Sequence, residues 1–294
     1  MRIVAIVNPV SGAGLHPDAA RRRVELIRAE LSERDLSGSI HLTERAGHAR
    51  ELATAAVADR ADLVIVWGGD GTVNEAGSAI AGTVTALGLV PAGSGNGLAG
   101  ALGVPRRPRA ALATALGTKT LAVDVGMLDD RPFFNIAGIG FDAHIARLFN
   151  ERPKGRRGRL PYVVIGVREG CRYVGKDYAI TLDGAAQRTR ALLIAFANGQ
   201  EYGMGMQIAP GARLDDGQLE ACVVEDRSVL ARFRDARHLA LGSVHRAPRM
   251  AMQPVRRAIV EADGEIEYHV DGEPGVVRDR LTISIRPGAL MVKV

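Results

Sequence analysis

Gly68-Gly69-Asp70-Gly71-Thr72 stands directly behind an apolar run, Leu63–Trp67. Glycines let the backbone come close to a ligand, and their N–H groups can cradle phosphate oxygens. A carboxylate among phosphates makes electrostatic sense if it holds Mg2+, directly or through water, or takes a proton from an attacking hydroxyl. A plain strand–helix turn with Asp70 as its N-cap would require none of this chemistry. Two further loops favour the phosphate reading: Pro91-Ala92-Gly93-Ser94-Gly95-Asn96-Gly97 and Asn8-Pro9-Val10-Ser11-Gly12, each also behind an apolar run. Three such loops on one edge of one sheet would make a triphosphate site. A helix beginning near Asn74 would aim its positive end at it.

Other constellations carry less. Gly95-Asn96-Gly97-Leu98-Ala99-Gly100 matches the dinucleotide fingerprint GxGxxG. That fingerprint should follow the first strand of its unit, with an acidic residue about 20 positions on at the end of the next strand. The nearest candidate, Asp124, falls where the texture of the chain changes. The seven histidines form no pair with metal or triad spacing. His48 reads as part of a Gly-His-Ala turn, and Ser11 and Ser94 lack a partnered His and Asp. Met204, Met206, Met250 and Met252 could line an acyl-chain groove or simply fill a core. Cys171 and Cys222 are too few for a disulfide framework and read as buried apolar residues of a reduced, intracellular protein.

The elements that must position the loops alternate strand and helix over the first ~120 residues. Ile3–Val7, Ile40–Leu42, Leu63–Trp67 and Ala86–Val90 read as strands. Asp18–Ser32, Gly47–Ala58, Asn74–Ala81 and Gly97–Leu102 read as helices. This order predicts a doubly wound parallel sheet with ligands at the carboxyl ends of its strands. Beyond Asp124 come short strand candidates: Phe133–Ile136, Tyr178–Leu182, Ala191–Ala197, Leu219–Val224, Ala258–Ala262, Ile266–Val270 and Leu281–Ile285. Turn signals at Asp183-Gly184, Asp216-Gly217 and Asp263-Gly264 lie between them. Helices are expected near Tyr162–Tyr173 and Ser228–Gly242. The fold class is therefore α/β, with a second, mostly antiparallel β-rich domain. The boundaries predicted are 1–122, with residues 287–294 candidates to return to it, and 123–286.

Bulk properties narrow the partners. The formal charge is +5, a mild excess that favours anions of any kind. Aromatic residues are only 4% of the chain, which argues against nucleic acid held by stacking. No run approaches the ~18–20 apolar residues of a membrane span. The run Ile3–Val7 is too short for the core of a signal peptide, so a cytoplasmic location is expected.

Together the loops resemble the diacylglycerol kinase catalytic-domain family, which includes bacterial diacylglycerol kinase-like lipid kinases and the sphingosine and ceramide kinases. The resemblance is carried by Asn8-Pro9-x-Ser11-Gly12, by Gly68-Gly69-Asp70-Gly71-Thr72-Val73-Asn74-Glu75 and by Pro91-x-Gly93-Ser94-Gly95-Asn96. It continues through Asp124-Val125-Gly126, Asn135-x-x-Gly138-x-Gly140-Phe141-Asp142, Asn198-Gly199, Ala209-Pro210, Asp215-Asp216-Gly217 and Val270-Asp271-Gly272-Glu273. It implies an ATP-dependent, Mg2+-using lipid kinase with a nucleotide-binding α/β domain and a β-rich lipid-substrate domain. By position, Asn8, Pro9, Val10, Ser11, Gly12, Thr43, Gly68, Gly69, Asp70, Gly71, Thr72, Val73, Asn74 and Ser94 would line the ATP site. Asp70 would organise Mg2+ or serve as base, and Glu273 would be the general base on the lipid hydroxyl. Asp142 would hold a substrate head group or cap a helix over Ala143–Phe149. Asp216, with carbonyls near Arg213 and Gln218, would hold a structural metal or merely close an Asp-Gly turn.

Some bacterial members have a Lys just after the Ser-Gly of the first motif, where this chain has Ala13-Gly14. One phosphate-neutralising charge is then either missing or supplied from elsewhere, for example by Arg21 or Arg22. Many members read Gly-Asn-Asp in the third loop, where this chain has Gly95-Asn96-Gly97, which leaves diacylglycerol and sphingoid-base acceptors both open. The partners expected are ATP, a membrane lipid and, transiently, an anionic membrane surface; no nucleic acid is expected, and a homodimer is left open. Competing readings are a soluble kinase of the NAD kinase type, which shares Gly-Gly-Asp-Gly, and a catalytically idle lipid-binding protein. The basic stretch Arg152–Arg159 is either a solvated connector or a contact with acidic lipid. Replacing Lys154, Arg156, Arg157 and Arg159 with Ala is expected to weaken binding to anionic vesicles at least ~10-fold, at roughly 1 kcal/mol per basic residue near the surface. Unchanged vesicle binding would refute the lipid contact.

Overall fold

The structure is a computed structural model that describes residues 1–12, 18–151, 159–202, 207–228, 230–232 and 250–294. The chain forms two units, Met1–Val123 with Gly288–Val294, and Asp124–Pro287.

The first unit is built on β1 (Ile3–Val7), α1 (Ala19–Ser32), β2 (Gly38–Leu42), α2 (His48–Ala58), β3 (Leu63–Gly68), α3 (Asp70–Ile80), β4 (Ala86–Pro91), α4 (Gly97–Ala101) and α5 (Pro108–Ala115). The strands run parallel in the order β2-β1-β3-β4, and Val292 adds beside Leu87. β1 and β3 are buried at every position, whereas edge strand β2 is mostly exposed. A parallel strand covered on both faces reads as an unbroken apolar run, which is why IVAIV and LVIVW show no alternation. The step from β1 to β2 runs one way along the sheet, and the steps from β2 to β3 and β3 to β4 run the other way. Right-handed crossovers then put α1 on one face and α2 and α3 on the opposite face. The packing agrees: α2 lies against α3, and α1 against α5. The order reverses between β1 and β3, so their carboxyl ends, at Asn8 and Gly68, form the switch point where such sheets bind ligands.

The second unit contains β5 (Thr120–Leu128) from Asp124 on, β6 (Arg131–Phe133), β7 (Ile136–Gly140), α6 (Phe141–Asn150), α7 (Arg159–Gly170), β8 (Lys176–Leu182), β9 (Ala185–Ala197), β10 (Leu219–Glu225), β11 (Met250–Val255), β12 (Arg257–Val270) and β13 (Glu273–Lys293) as far as Pro287. The strands are antiparallel in the order β11-β10-β9-β7-β12-β13. β7 and β8 fill successive segments between the same two strands: β9 pairs with β8 over 185–191 and with β7 over 193–197. The far half of β9 is wholly buried because its alternate residues serve two cores. Ile194 and Phe196 join Ile180, Val260 and Ile283, while Leu193, Ala195 and Ala197 join Ile208 and Cys222. Asp183-Gly184 and Asp271-Gly272 close two-residue hairpins, with positive φ at all four positions (44°, 91°, 49° and 86°). Such primed turns match the strand twist, which is why Asp-Gly stands there.

The α/β class with a β-rich second part is as the sequence predicts, and several details differ. The helix expected from Asn74 begins four residues earlier, at Asp70. Asp263-Gly264 is a bulge inside β12, where pairing with β13 slips between Glu261 and Glu265. Gly264 has φ of +81°, and its N–H donates to Asp279 Oδ1 at 3.1 Å. The strand expected over Phe133–Ile136 is split, because the amides of 134–136 turn to the Asp271 carboxylate. The strand expected over Leu281–Ile285 is the middle of a 21-residue one. Helix α5 was not anticipated, although Pro108 at its first turn is a start signal. Cys222 is buried as expected, but Cys171 is exposed. Residues 152–158 of the basic stretch, Met204, Met206 and most of the helix expected over Ser228–Gly242 lie outside the described residues.

Gly126 in β5 lies opposite Phe133, and a Cβ there would sit 2.2–2.6 Å from three atoms of that fully buried ring. Gly126→Ala is expected to cost about 1–3 kcal/mol, the usual range for overpacking. Urea unfolding should show Phe133→Leu restoring part of that loss in the double variant, where two independent sites would simply add.

Candidate active site

The three glycine loops of the first unit are joined to one another by side chains. Asn8, at the end of β1, donates from Nδ2 to Thr72 Oγ1 in α3 at 2.8 Å. Its Oδ1 accepts from Val10 N at 3.1 Å, and its carbonyl accepts from Ser11 Oγ at 3.0 Å. Asp70 is the first residue of α3, behind Gly69 as N-cap. Its Oδ1 accepts from Gly97 N at 2.7 Å and its Oδ2 from Asn96 N at 2.8 Å. Asn96, held at φ +57°, closes its own loop by accepting from Gly93 N and donating to Gly93 O, both at 2.7 Å.

The glycines are required by closeness. A Cβ on Gly12 would lie 2.3 Å from the Ala92 carbonyl, and one on Gly93 would lie 2.7 Å from Gly69 Cα. Gly68 is as tight, a Cβ there falling 2.6 Å from Thr72 Cβ, while Ser94, Val10 and Gly12 are exposed at the loop tips. Val73 N makes the first α-helical bond of α3, to Gly69 O at 3.0 Å, so the positive end of that helix lies at Asp70, Gly71 and Thr72. Thr72 and Asn74 are buried. Pro9 is half-buried, and Thr43 continues β2 by donating its N–H to Val7 O at 2.9 Å.

Two contacts of this site were not read from the sequence. Glu75 accepts from Gly47 N at 2.8 Å and from Ala49 N at 3.1 Å, so the end of the Gly-Gly-Asp-Gly motif caps α2 from a distance. The basic residue at the first loop is Arg23, not Arg21 or Arg22. Its guanidinium donates to Asn8 O, to Ser11 Oγ at 2.9 Å and to Ser11 O at 2.8 Å, and lies over the Trp67 ring. Burial lowers its pKa from the ordinary guanidinium value. Arg21 is exposed and pairs with Asp18 and Glu25. Helical phase could have found Arg23, which precedes buried Ile27 by one turn, whereas Arg21 and Arg22 face outward.

The remaining predicted residues belong to the second unit. Glu273 opens β13 with an exposed side chain, directly after the Asp271-Gly272 turn. Beside it a cleft of about 190 Å3 is lined by Ala143, Pro274, Gly275, Val276 and the Arg147–Glu267 ion pair (3.3 Å). Asp142 was expected at a head group or as a helix cap, and the cap of that helix is Gly140 instead. Asp142 is buried in the first turn of α6 behind Gly140, accepts from the Tyr202 hydroxyl at 2.7 Å and lies 2.9 Å from His269 Nε2. Burial opposes charge on His269, but Asp142 and then Asp271 outweigh it and raise its pKa above the usual value. Asp216 is exposed and accepts from Gln218 N at 3.0 Å, which makes it the acceptor of its own turn. Among the described residues no three His, Cys, Asp or Glu converge as a metal cluster.

Asp124 is buried, with Oδ2 accepting from Gly217 N at 2.6 Å. It is therefore committed to the second unit and does not serve a dinucleotide bound at Gly95–Gly100. His48 accepts from Glu44 N at 3.1 Å, as a turn residue would. Met252 packs on the core around Cys222, whose thiol is pushed up to about 12 by burial.

The diacylglycerol kinase catalytic domain model matches residues 2–128, and the YegS C-terminal NAD kinase beta sandwich-like domain model matches residues 135–294. The chain belongs to this family of lipid kinases. A diacylglycerol kinase of Mycobacterium tuberculosis is 33% identical over 77% of this chain and 74% of its own length. The Chromohalobacter salexigens protein named probable lipid kinase YegS-like is 33% identical over 82% of this chain and 78% of its own. The crystal structure of a diacylglycerol kinase from Bacillus anthracis superposes with a TM-score of 0.80 at 26% identity, covering 99% of this chain and 96% of that one. The family's motif residues divide into two kinds here. Asn8 ties two loops through a side chain, whereas Asp70, Glu75, Asp124 and Asp271 receive backbone amides that secondary structure leaves over.

Glu75→Ala is expected to cost about 1–3 kcal/mol, since it strands two partly buried amides. Hydrogen exchange should show Gly47 and Ala49 losing protection while the amides of β3 keep theirs.

Proposed function

We propose that the protein transfers the γ-phosphate of ATP to a hydroxyl of a membrane lipid of the diacylglycerol or sphingoid-base class. In this reading the first unit binds ATP and the second binds the lipid. The observation that carries it is the cross-locking of three glycine loops at the switch point of the first unit. The lock is made by Asp70 on the amides of Asn96 and Gly97 and by Asn8 on Thr72. Such a surface offers peptide N–H groups and a helix N-terminus to phosphates without side-chain bulk.

The donor set suits Mg2+, which takes hard oxygen ligands together with substrate phosphates, and Asp70 is the carboxylate that would hold it. When bound, the ion would neutralise charge on the β- and γ-phosphates. The chain's own part is positioning and proton transfer. Glu273, exposed beside the cleft at Pro274–Val276, would accept the proton of the lipid hydroxyl as its oxygen attacks the γ-phosphorus and the bond to ADP breaks. Because Asp142 is buried on His269 and Tyr202, it is not assigned to the head group, and Asp216 is assigned to its turn. Among the described residues no helix is long and apolar enough to cross a membrane. The lipid would therefore be met at a membrane surface, for which the exposed Val164, Val167 and Leu230 are suited.

The test is transfer of labelled γ-phosphate from Mg-ATP to diacylglycerol, sphingosine, ceramide and phosphatidylglycerol in mixed micelles, with NAD as a soluble control. One lipid is expected to be labelled, with loss of at least ~100-fold in Asp70→Ala and in Glu273→Gln, the scale of a positioned acid–base group. Labelling of NAD alone would overturn the lipid reading, and full turnover in Glu273→Gln would remove Glu273 as base.

A further inference from the structure

The turn that carries Glu273 is tied down from three directions inside the second unit. Asp271 takes the amides of Phe134, Asn135 and Ile136 at 2.9, 2.9 and 3.1 Å. The Gly272 carbonyl accepts from Asn150 Nδ2, at the end of α6, at 2.7 Å. The Gly272 N–H donates to His269 Nδ1 at 3.2 Å. Asp271 fixes the strand that enters the turn, whereas the other two contacts hold the peptides on either side of Gly272: His269 the Asp271–Gly272 peptide and Asn150 the Gly272–Glu273 peptide.

His269 is only 3% exposed, and the direction of its ring follows from its partners. A peptide N–H can only donate, so Nδ1 accepts and the ring proton stands on Nε2, which lies 2.9 Å from Asp142 Oδ2 without being aimed along a hydrogen bond to it. Tyr202 donates to the same oxygen at 2.7 Å. Above the pair there is no room for a side chain: a Cβ on Gly138 would lie 2.0 Å from Asp142 Oδ2 and 2.5 Å from His269 Nε2. Burying a carboxylate and an imidazole together carries a desolvation cost, and a well-packed apolar pair often holds two segments as firmly. What the polar pair adds is direction. The carboxylate, packed at 2.9 Å on Nε2, confines the imidazole, and the imidazole orients the N–H of the Asp271–Gly272 peptide. Because Asp271 and Gly272 occupy a stiff primed turn, a rotation of that peptide is passed to the Cα of Glu273.

We propose that the buried Asp142–His269 pair is a positioning device for the general base, holding the Gly272 peptide so that Glu273 stands in one orientation. The inference rests on the reading of Glu273 as base, and its test separates the two. His269→Asn keeps an acceptor near the place of Nδ1, whereas His269→Ala removes both contacts. Steady-state kinetics are measured for these variants, for Glu273→Gln, and for Glu273→Gln combined with His269→Ala, with thermal melts to confirm folding.

Misplacing a reacting group by an ångström can cost about 100-fold, so His269→Ala is expected to lower kcat about 10- to 100-fold with the KM for ATP within about twofold. His269→Asn should recover most of the loss. In the Glu273→Gln background, removing His269 should change the remaining rate less than about twofold, because there is no longer a base to position. An equal fall in both backgrounds would mean the pair only stabilises the fold and would overturn the proposal. So would wild-type turnover in His269→Ala while Glu273→Gln is inactive; turnover unaffected by Glu273→Gln would instead sink the base reading on which the proposal stands. If His269→Ala does not fold, Asn150→Ala loosens the next peptide, Gly272–Glu273, from the surface side. It should show a smaller fall in kcat with the same dependence on Glu273, and wild-type turnover in it would count against the proposal.

Discussion

A loop that leaves a sheet to meet a ligand gives up its ladder partners, and here many of its N–H groups are satisfied by carboxylates from distant parts of the chain. Buried or half-buried peptide donors must find acceptors somewhere. Asp70 meets the amides of Asn96 and Gly97, Glu75 those of Gly47 and Ala49, and Asp124 that of Gly217. Asp271 meets three successive amides at 134–136. Charged acceptors make stronger hydrogen bonds than neutral ones and hold direction as well as distance. Irregular segments are thereby placed almost as firmly as strands. The glycine loops of the first unit and the Glu273 turn of the second depend on that single device.

It also explains why acidic residues in the motifs are poor guides to chemistry when read singly. Asp70 is a lock between two loops and, in the function proposed above, the residue that would organise Mg2+. The two roles are compatible, because orienting a carboxylate by backbone amides is what preorganisation requires. Asp124, in contrast, has the residue type for a ribose ligand and the geometry of an interior hydrogen-bond acceptor. Asp142 has the type for a head-group anchor, yet only 6% of its surface is exposed. Sequence could report that a carboxylate stands at each place, but not whether a ligand or a peptide lies opposite.

What was legible follows the range of the interaction that decides it. Buried parallel strands, glycine loops and Asp-Gly hairpins depend on neighbours a few residues away, and they were legible at Ile3–Val7, Leu63–Gly68 and Asp183-Gly184. The misreadings lie where a distant partner intervenes. The strand expected through Phe133–Ile136 is broken by Asp271, 135–137 positions on. Asp263-Gly264 has the composition of a turn, but β13 continues past it and turns it into a bulge. The first helical residue of α3 is Asp70 rather than Asn74 because the glycines before Asn74 lower helix propensity without forbidding the helix, and the bonds of Asp70 to the third loop supply what propensity lacks.

The site of Arg23 carries this to the electrostatics of the phosphate loops. Relatives with a Lys after the first motif can bring a mobile point charge to the phosphates, and this chain has Ala13-Gly14 in its place. Arg23 does not substitute for it in kind. Its fork is used on the Asn8 carbonyl and on both oxygens of Ser11, and its flat face lies over Trp67. A guanidinium so engaged fixes the loop in shape, and it adds its charge from behind the backbone rather than in contact with a ligand. On the function proposed above, direct neutralisation of a bound triphosphate would fall to the peptide dipoles of the three loops, the N-terminus of α3 and any metal that Asp70 held. In that arrangement rigidity takes over part of the work of charge, which is why so many contacts at this edge run between loops rather than from loop to solvent.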